Sequence, residues 1–556
     1  MSNGEIADVL ARVAQLMSAT KENPFKAKAY RRAATKIRTL SDSLDELVRA
    51  DADLTRYGGI GEGIASAIRE IVLTGGLRKY DDLRANAKPE VASVSDYPRL
   101  DPKQVQRVYK KLKIGSVEAL RANLESGEIE KTLGARMAQH IRNGLVEAQS
   151  ILLYKADELR AEVEEYLLTR CGVKRLQVVG DYRRRVEVVR DLSFVIETDD
   201  FAAVVSRLER YGGRMPLLAS EDSSATFQLS AGLLLRVQAV DPEHWGLALV
   251  GLTGSEAHLR QLNAATGALT SPDTLTANIP SETALYGKFG LSFIEPELRE
   301  GNDEVQLASR HELPVLVTRE DIRGELHAHS TSSDGAHSIE QMAIAARDRG
   351  YEYIGITDHS QSLKIARGVS VEDLWRQIRE IDRLNQRMTA IRILKSAEVD
   401  ILADGTLDYP DDLLRELDYT VCSLHSRFAL GKKEQTERIL RAMDNRYFTI
   451  LGHPTGRLLL NRPAYALDFE KIVEHAKANG CFFEINSSPN RLDLSSENAR
   501  FAHRAGVKIA VSTDAHSIRE LDLVRCGLDQ ARRAGLAKND VLNCLPWDQL
   551  RRVFRR

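Results

Sequence analysis

Cysteine is scarce: five in 556 residues, and Cys171, Cys422, Cys481, Cys526 and Cys544 form no close pair. So sparse and odd a set excludes a disulfide framework and fits a reducing compartment. Long apolar runs are missing as well. Stretches such as Ile151–Tyr154 and Gly246–Leu252 fall far short of the roughly 18 residues a membrane helix needs. The opening Met1-Ser2-Asn3-Gly4-Glu5 lacks the basic-then-apolar pattern of a signal peptide, so a cytoplasmic protein without membrane contact is expected. No one sign of charge dominates. With 78 Lys and Arg against 80 Asp and Glu, the formal charge is −2, so any nucleic-acid site must be local. There is no short-period repeat and no low-complexity tract. What remains, 43% hydrophobic and 28% charged residues, is ordinary for a globular protein. At roughly 100–200 residues per domain, the length predicts several domains.

Charge divides the chain. Residues 1–150 hold 25 basic against 20 acidic side chains, residues 151–310 hold 17 against 24, and the remainder holds 36 against 36. Three zones of different character follow. The first reads as helical, with apolar residues at helical spacing in Ile6, Ala7, Val9, Leu10, Val13, Leu16 and Met17. The second mixes helices with strands: Gln177-Val178-Val179 runs into a Gly180 turn, and Leu192–Ile196 reads as a buried strand. Residues 311–324 read as a linker. From Glu325 onward short apolar strands alternate with helices, at Tyr353–Ile356, Ile393-Leu394, Tyr419–Val421, Thr449–Leu451, Phe482–Ile485 and Ile509–Val511. Repeated βα units imply a mostly parallel sheet, open or closed into a barrel. In a barrel the chemistry sits where strands end.

The chain has 13 histidines, nine of them from His327 to His516. Nearly every strand of the last zone ends in a potential metal ligand. His327-Ala328-His329 is followed by Asp334, then Asp358-His359, Glu398-Val399-Asp400, His425, His453-Pro454, and Asp514-Ala515-His516. Residues at i and i+2 on a strand face the same way, so His327 with His329, and Asp514 with His516, can serve one metal together. Six imidazoles and several carboxylates exceed one tetrahedral site and suffice for two or three ions sharing carboxylates. Clustered ions activate water and hold a phosphate, the arrangement used on phosphate esters. Any one of these histidines is as readily a core or surface residue, but six at successive strand ends are not. His337, His475 and His503 lack that placement and read as structural.

On these motifs, residues 325–556 resemble the PHP (polymerase and histidinol phosphatase) metal-dependent phosphoesterase domain. The resemblance implies a distorted (β/α)7 barrel with a site for three ions, Mn2+ or Zn2+. Its nine ligand positions fall on His327, His329, Asp334, His359, Glu398, His425, His453, Asp514 and His516, with none missing. His327, His329, Glu398 and Asp514 are expected to carry the catalysis, with Asp358 or Glu398 orienting neighbours. Lys364, Arg367 and Arg457 lie near ligands in sequence and are candidates for holding a phosphate, an ordinary surface role being the alternative.

In the first zone Tyr57-Gly58-Gly59-Ile60-Gly61-Glu62-Gly63-Ile64 sits between helical stretches. A glycine-rich hairpin there exposes backbone N–H groups that hold a DNA phosphate without reading sequence; a plain glycine turn is the bland alternative. The following Ile64–Ile71 helix and the Thr74-Gly75-Gly76 stop favour a helix-hairpin-helix, and Lys26–Arg32 adds a basic helix with an aromatic. Expected DNA contacts are Lys26, Tyr30, Arg31, Gly59, Gly61 and Gly63. The order of these parts resembles the small N-terminal domain of family X DNA polymerases. Lys26 matches a phosphate-contacting lysine of that family. Ala67 stands at the position of its lyase lysine, so no sugar-phosphate lyase activity is expected through it. A second hairpin, over Tyr97–Lys103, has lost its glycines, though Lys103, Arg107, Lys110, Lys111 and Lys113 keep a basic helix; Leu133–Arg136 looks like another relic.

Residues 151–310 resemble the α/β nucleotidyltransferase palm and thumb of the same family. Val179–Arg184 looks like its Gly-Ser motif, Leu252–His258 its thumb motif and Phe289–Glu300 its ending. Phosphoryl transfer needs Mg2+ held by converging carboxylates. Here the Asp-x-Asp pair reads Asp191-Leu192-Ser193, Leu234 stands at the third acidic position, and Asp181 replaces the Gly-Ser serine. A degenerate polymerase site is expected, and the acidic balance of the segment agrees.

The expected architecture is multidomain: an all-α helix-hairpin-helix domain over 1–85, a fingers-like helical domain over 86–150, the palm and thumb over 151–310, the linker over 311–324 and the PHP barrel over 325–556. The expected function is metal-dependent phosphodiester hydrolysis on DNA, as a 3′-5′ exonuclease or 3′-end processor at a gap or recessed 3′ end. An active gap-filling polymerase with an attached nuclease and a small-molecule phosphatase of the histidinol-phosphate type are the alternatives. A non-enzymatic DNA scaffold is disfavoured by the full ligand set.

Overall fold

The chain divides into two units in the computed structural model: Met1–Ser255 with Leu262–Phe289, and Glu256–Gln261 with Gly290–Arg556. The structure describes all residues except 2, 21, 39, 41, 88–101, 115–116, 135–136, 139–140, 142–149, 231–232 and 555–556.

In the first unit local chemistry sets where helices begin and end. Asn23 caps the helix Pro24–Ile37, its side chain accepting from Phe25 N at 2.9 Å, with Pro24 in the first turn. The helix Glu62–Thr74 stops at Gly75, whose φ of +78° favours glycine. Between Tyr57 and Gly61 the chain reverses: Ile60 N donates to Tyr57 O at 3.0 Å, and Gly59 takes a φ of +90°. Ile60 plugs this turn into a core shared with Ile6, Leu10, Val13, Ile37, Ile68 and Ile71. The expected second hairpin, over Tyr97–Lys103, falls on residues outside the described ones save the helix Pro102–Leu112, and Ala135 and Arg136 also lie outside them.

Strands β1 (Ile151–Leu152) and β3 (Val188–Val189) pair antiparallel. A five-stranded sheet combines β2 (Arg175–Val179), β4 (Asp191–Glu197), β5 (Leu217–Ser220), β6 (Ser224–Ser230) and β7 (Leu233–Ala239). Its order is β2-β4-β7-β6-β5, antiparallel except for β4 with β7. The helix Leu153–Arg170 buries Leu159, Val163 and Leu167 in the sheet's core.

In the second unit the strands are β8 (Gly324–Ala328), β9 (Tyr353–Ile356), β10 (Arg392–Lys395), β11 (Glu398–Asp400), β12 (Val421–Ser423), β13 (Ile450–Leu451), β14 (Phe482–Asn486) and β15 (Ile509–Ser512). All pairings are parallel, in sheets ordered β10-β9-β8 and β11-β12-β13-β14-β15. Parallel bridges from Ala328 to Ala515 and from His359 to Glu398 join the two sheets into a ring. Because β10 and β11 are one strand broken at Ser396-Ala397, the ring has seven strand positions. Helices such as Ile339–Asp348, Val371–Arg387 and Phe469–Asn479 cover it with buried apolar faces. Residues 311–324 pack into this unit rather than spanning free: Leu316 and Val317 are buried, and Val317 N donates to Leu536 O at 3.0 Å.

The ring closes tightly at Gly355 on β9. A Cβ there would lie 1.8 Å from Tyr419 Oη, which donates to Leu326 O at 2.6 Å. Gly355→Ala is expected to destabilise the second unit by about 1–3 kcal/mol, read by urea unfolding on Trp375 and Trp547 fluorescence. Gly431→Ala, whose Cβ meets nothing within 4 Å, is the control. Equal midpoints for the two variants would refute this account of the closure.

Candidate metal centre

The buried ring leaves its strand ends as the place where polar side chains meet. β8 and the residue after it deliver His327 and His329, the turn beyond brings Asp334, and β9 leads to His359. Glu398 opens β11, His425 and His453 follow β12 and β13, and Asp514 and His516 follow β15. Eight of these fall into three overlapping groups, each with ligand atoms within 4.8 Å of one another: His329, Asp334, His359 and His516; His327, His329 and Asp514; His359, Glu398 and His425. The ninth, His453, places Nε2 3.0 Å from Glu398 Oε1.

Glu398 is the centre, 1% exposed. Five imidazoles approach it: His359 at 2.7 Å, His453 at 3.0 Å, His425 at 3.3 Å, His327 at 3.5 Å and His329 at 3.7 Å. Asp514 Oδ1 lies 3.0 Å from His329 Nε2 and 3.6 Å from His327 Nε2. Asp334 Oδ1 lies 3.3 Å from His516 Nε2 and 3.6 Å from His359 Nε2. Two of the nine hold backbones that L side chains rarely adopt, His453 at φ +29° and Asp514 at φ +54°.

Behind these groups lies a shell that the sequence reading left mostly unassigned. Glu484, at the middle of β14, lies 2.7 Å from His327 Nδ1 through Oε1 and accepts from His453 N at 2.7 Å through Oε2. Asp400 meets His425 Nδ1. Asp358 accepts from Ser330 N and Oγ, Ser333 Oγ and Gln377 Nε2, fixing the turn that leads to Asp334. Glu325 ties β8 to the end of β15 by accepting from His327 N at 2.8 Å and Thr513 Oγ1 at 2.8 Å. Burial pushes the Glu325 carboxyl up to about 7 against those bonds. Partners of this kind orient ligating imidazoles and set their tautomer. Glu484 was hidden because it reads as one residue of an apolar strand, Phe482–Ile485.

The donor set fits divalent cations. His327 Nε2, His329 Nδ1, His359 Nδ1 and Glu398 Oε2 are buried and make no hydrogen bond, although His359 Nδ1 and Glu398 Oε2 stand 2.7 Å apart, a cost proteins rarely leave unanswered. Imidazole with carboxylate is a ligand set for first-row ions. Burial works to raise the Glu398 carboxyl, but His359, His425 and His327 outweigh it and hold it well below the usual range. Burial lowers His327 while Glu484, Asp514 and Glu398 lift it well above its ordinary value. Buried beside His359, His329 falls to about 4.

The three basic candidates fare differently. Arg457 donates from Nε to Arg491 O at 3.0 Å, bracing the loop after β14. Arg491, not singled out by the sequence, brings Nε to 3.9 Å from Asp514 Oδ2. Lys364 and Arg367 are exposed on the loop after His359. His337, His475 and His503 stand outside the three groups, the last two facing Asp444 and Asp540.

In the first unit Asp191 and Ser193 share a face of β4, and Ser193 Oγ donates to Asp191 Oδ1 at 2.9 Å. In register, Leu234 on β7 pairs with Asp191 and Arg236 with Ser193. Arg236 Nε lies 3.6 Å from Asp191 Oδ2, so the group that reaches the lone aspartate is an arginine the sequence reading passed over. Asp181, which replaces the Gly-Ser serine, is paired with Arg184 at 2.6 Å, which offsets its negative charge. Glu197 pairs with Arg175 at the far end of β4. Among the described residues no metal-ligating group forms here. Lys26 and Arg31 lie exposed on the helix Pro24–Ile37, while Tyr30 packs half-buried beneath Lys79. Gly59, Gly61 and Gly63 have open space where a Cβ would point. Ala67 lies in the core.

Comparison with known proteins matches a helix-hairpin-helix domain over residues 1–77 and a PHP domain over residues 325–488. The PHP match, a metal-dependent type of domain, covers β8 to β14 and includes His327, His329, Asp334, His359, Glu398, His425 and His453. The chain is 34% identical to "DNA polymerase/3'-5' exonuclease PolX" of Bacillus subtilis (strain 168), over 98% of this chain and 97% of that protein. A "Probable phosphatase" of Thermoanaerobacter sp. (strain X514) is 33% identical over 39% of this chain and 89% of its own length. Another, from Acetivibrio thermocellus, is 32% identical over 34% and 78%.

Glu484→Gln keeps the shape but removes the charge facing His327 Nδ1. Metal affinity is expected to fall about 10–100-fold, measured by titrating metal-free protein with Mn2+ and with Zn2+. Unchanged affinity would mean that Glu484 only packs.

Proposed function

Because the chain belongs to the PolX family of DNA polymerase/3′-5′ exonuclease proteins, we propose that it is a metal-dependent 3′-5′ nuclease on DNA whose polymerase centre does not polymerise. The observation that carries this reading is the contrast between two carboxylate sites. At Glu398, nine potential ligands converge and four buried polar atoms make no hydrogen bond. At Asp191, one oxygen accepts from Ser193 and the other faces Arg236, so nothing converges on a cation there.

On this reading His327, His329, Asp334, His359, Glu398, His425, His453, Asp514 and His516 would hold three ions, Mn2+ or Zn2+. Such ions supply Lewis acidity and an activated water for phosphodiester hydrolysis. Both oxygens of Glu398 face imidazoles, Oε2 that of His359 and Oε1 that of His425. Glu484 takes the Nδ1 proton of His327 in a hydrogen bond and so leaves Nε2 as the ligating atom. Arg491 stands beside Asp514 to receive a nonbridging phosphate oxygen. The Gly59–Gly63 hairpin, with Lys26 and Arg31, holds the backbone of gapped or recessed DNA without reading its sequence, which predicts a steep fall of affinity with salt.

A second reading, a phosphatase of small phosphate esters, is favoured by the relatives named "Probable phosphatase", which align with 34–39% of this chain. The basic helical front of the chain has no task under it.

With Mn2+ and all four dNTPs, the protein is expected to shorten a 5′-labelled gapped duplex from its 3′ end without extension. Chelation by EDTA abolishes shortening and added Mn2+ restores it; His327→Ala abolishes it in either case. Extension by the His327→Ala protein would overturn the account of Asp191 and Arg236. Intact DNA beside rapid hydrolysis of p-nitrophenyl phosphate would establish the second reading instead.

A further inference from the structure

The loop that follows His359 is a stiff knuckle with an apolar tip. Its neck is closed by Val369 N donating to His359 O at 2.8 Å. Its base is held by Ser362 N donating to Asp408 Oδ2 at 2.7 Å and by Gln361 Nε2 donating to Asp408 O at 3.0 Å. Ser362 Oγ donates to Asp400 Oδ2, on the same carboxylate that meets His425 Nδ1. Within the loop, Leu363 N donates to Ser360 O and Gly368 N to Leu363 O, each at 3.1 Å. Gly368 is required there, because a Cβ would lie 2.0 Å from Ser360 O.

This framework projects Lys364-Ile365-Ala366-Arg367, a short 3-10 turn ended by Arg367 at φ +57°. Ile365 is 93% exposed, more than any other large hydrophobic side chain among the described residues. A single exposed apolar side chain is ordinary. This one is held rigidly, flanked by two exposed cations, and rooted on a proposed metal ligand.

Charge selects the partner. An apolar tip between two cations complements a strand whose phosphates are anionic and whose stacked bases are apolar, and isoleucine is among the side chains that wedge into base steps. From either end of its nine residues the tip reaches at most about 16 Å, about five base steps at 3.4 Å each. The knuckle therefore meets the last few nucleotides of any strand whose end enters the metal centre. That centre opens to solvent at Asp334 and His516, each about a third exposed, but its floor at His327 and Glu398 is no more than 1% exposed, so a paired terminus must first leave its stack to reach it.

We propose that Ile365 wedges into the terminal base steps of duplex DNA while Lys364 and Arg367 hold the flanking phosphates, freeing the 3′ strand for hydrolysis. The proposal rests on the nuclease reading above. Its test uses the full chain with Mn2+ and two 5′-labelled duplexes, one fully paired at the recessed 3′ end and one with its last few 3′ nucleotides mismatched. For Ile365→Ala the ratio of mismatched-end to paired-end kcat/KM is expected to rise about tenfold over the unaltered protein, with Ile365→Leu restoring it. In parallel, 2-aminopurine near the paired 3′ end brightens when the unaltered protein binds but not with Ile365→Ala, a readout that needs no turnover. An unchanged ratio, or equal brightening by both proteins, overturns the wedge and leaves the nuclease standing. If the unaltered protein cuts neither duplex yet hydrolyses bis(p-nitrophenyl) phosphate, the nuclease reading falls and the wedge with it.

Discussion

One buried carboxylate organises the second unit. Glu398 lies within 3.7 Å of five imidazoles, and polar groups so deep are costly unless every atom has a partner. They must therefore be aimed by elements that do not yield. Short parallel strands do this, because the pleat points every second residue the same way and the neighbouring strands fix its depth. The demand propagates outward. Glu484 fixes one imidazole and one backbone N–H, Asp400 fixes another imidazole, and Glu325 clamps the two strands that bring His327 and Asp514 together. Even the backbone gives way to it: positive φ at His453 and Asp514 costs roughly 1–3 kcal/mol each, borne by the packing around them.

The same geometry explains what the sequence disclosed. The strand-end placement of most candidate ligands was legible because they follow a short apolar run, and because His-x-His and Asp-x-His reveal the pleat without any tertiary knowledge. Helix ends were legible for a similar reason, since Asn23-Pro24 and Gly75 act within one turn. The rest depends on pairing between distant segments. Glu484 looks like a strand residue until β14 is set beside β13, when its carboxylate is found against His327 and His453. Arg236 carries no local mark; only the parallel register of β4 with β7 sets it opposite Ser193. The placement of residues 256–261 with the second unit is of the same kind. His258 and Glu304, 2.7 Å apart and both buried, form a pair across 46 positions of sequence. No spacing rule announces such a pair.

The two carboxylate sites differ in what they offer a cation. At Glu398 the surrounding groups are imidazoles with one nitrogen turned inward, able to give a lone pair to a cation or to carry a proton without moving. At Asp191 the neighbours are a hydroxyl and a guanidinium, and a guanidinium gives up neither its charge nor a lone pair. A metal ion approaching Asp191 would have to displace Arg236 and would meet its repulsion afterwards. Ser193 and Leu234 offer a cation no carboxylate, and Arg236 gives Asp191 an internal counterion. Restoring one acidic residue would leave that counterion in place. On the reading proposed above, the Arg236 ion pair adds to the absent carboxylates in keeping a cation from Asp191. It also lets the sheet keep Asp191 at low cost, since a half-exposed carboxylate facing an arginine needs no metal to be stable.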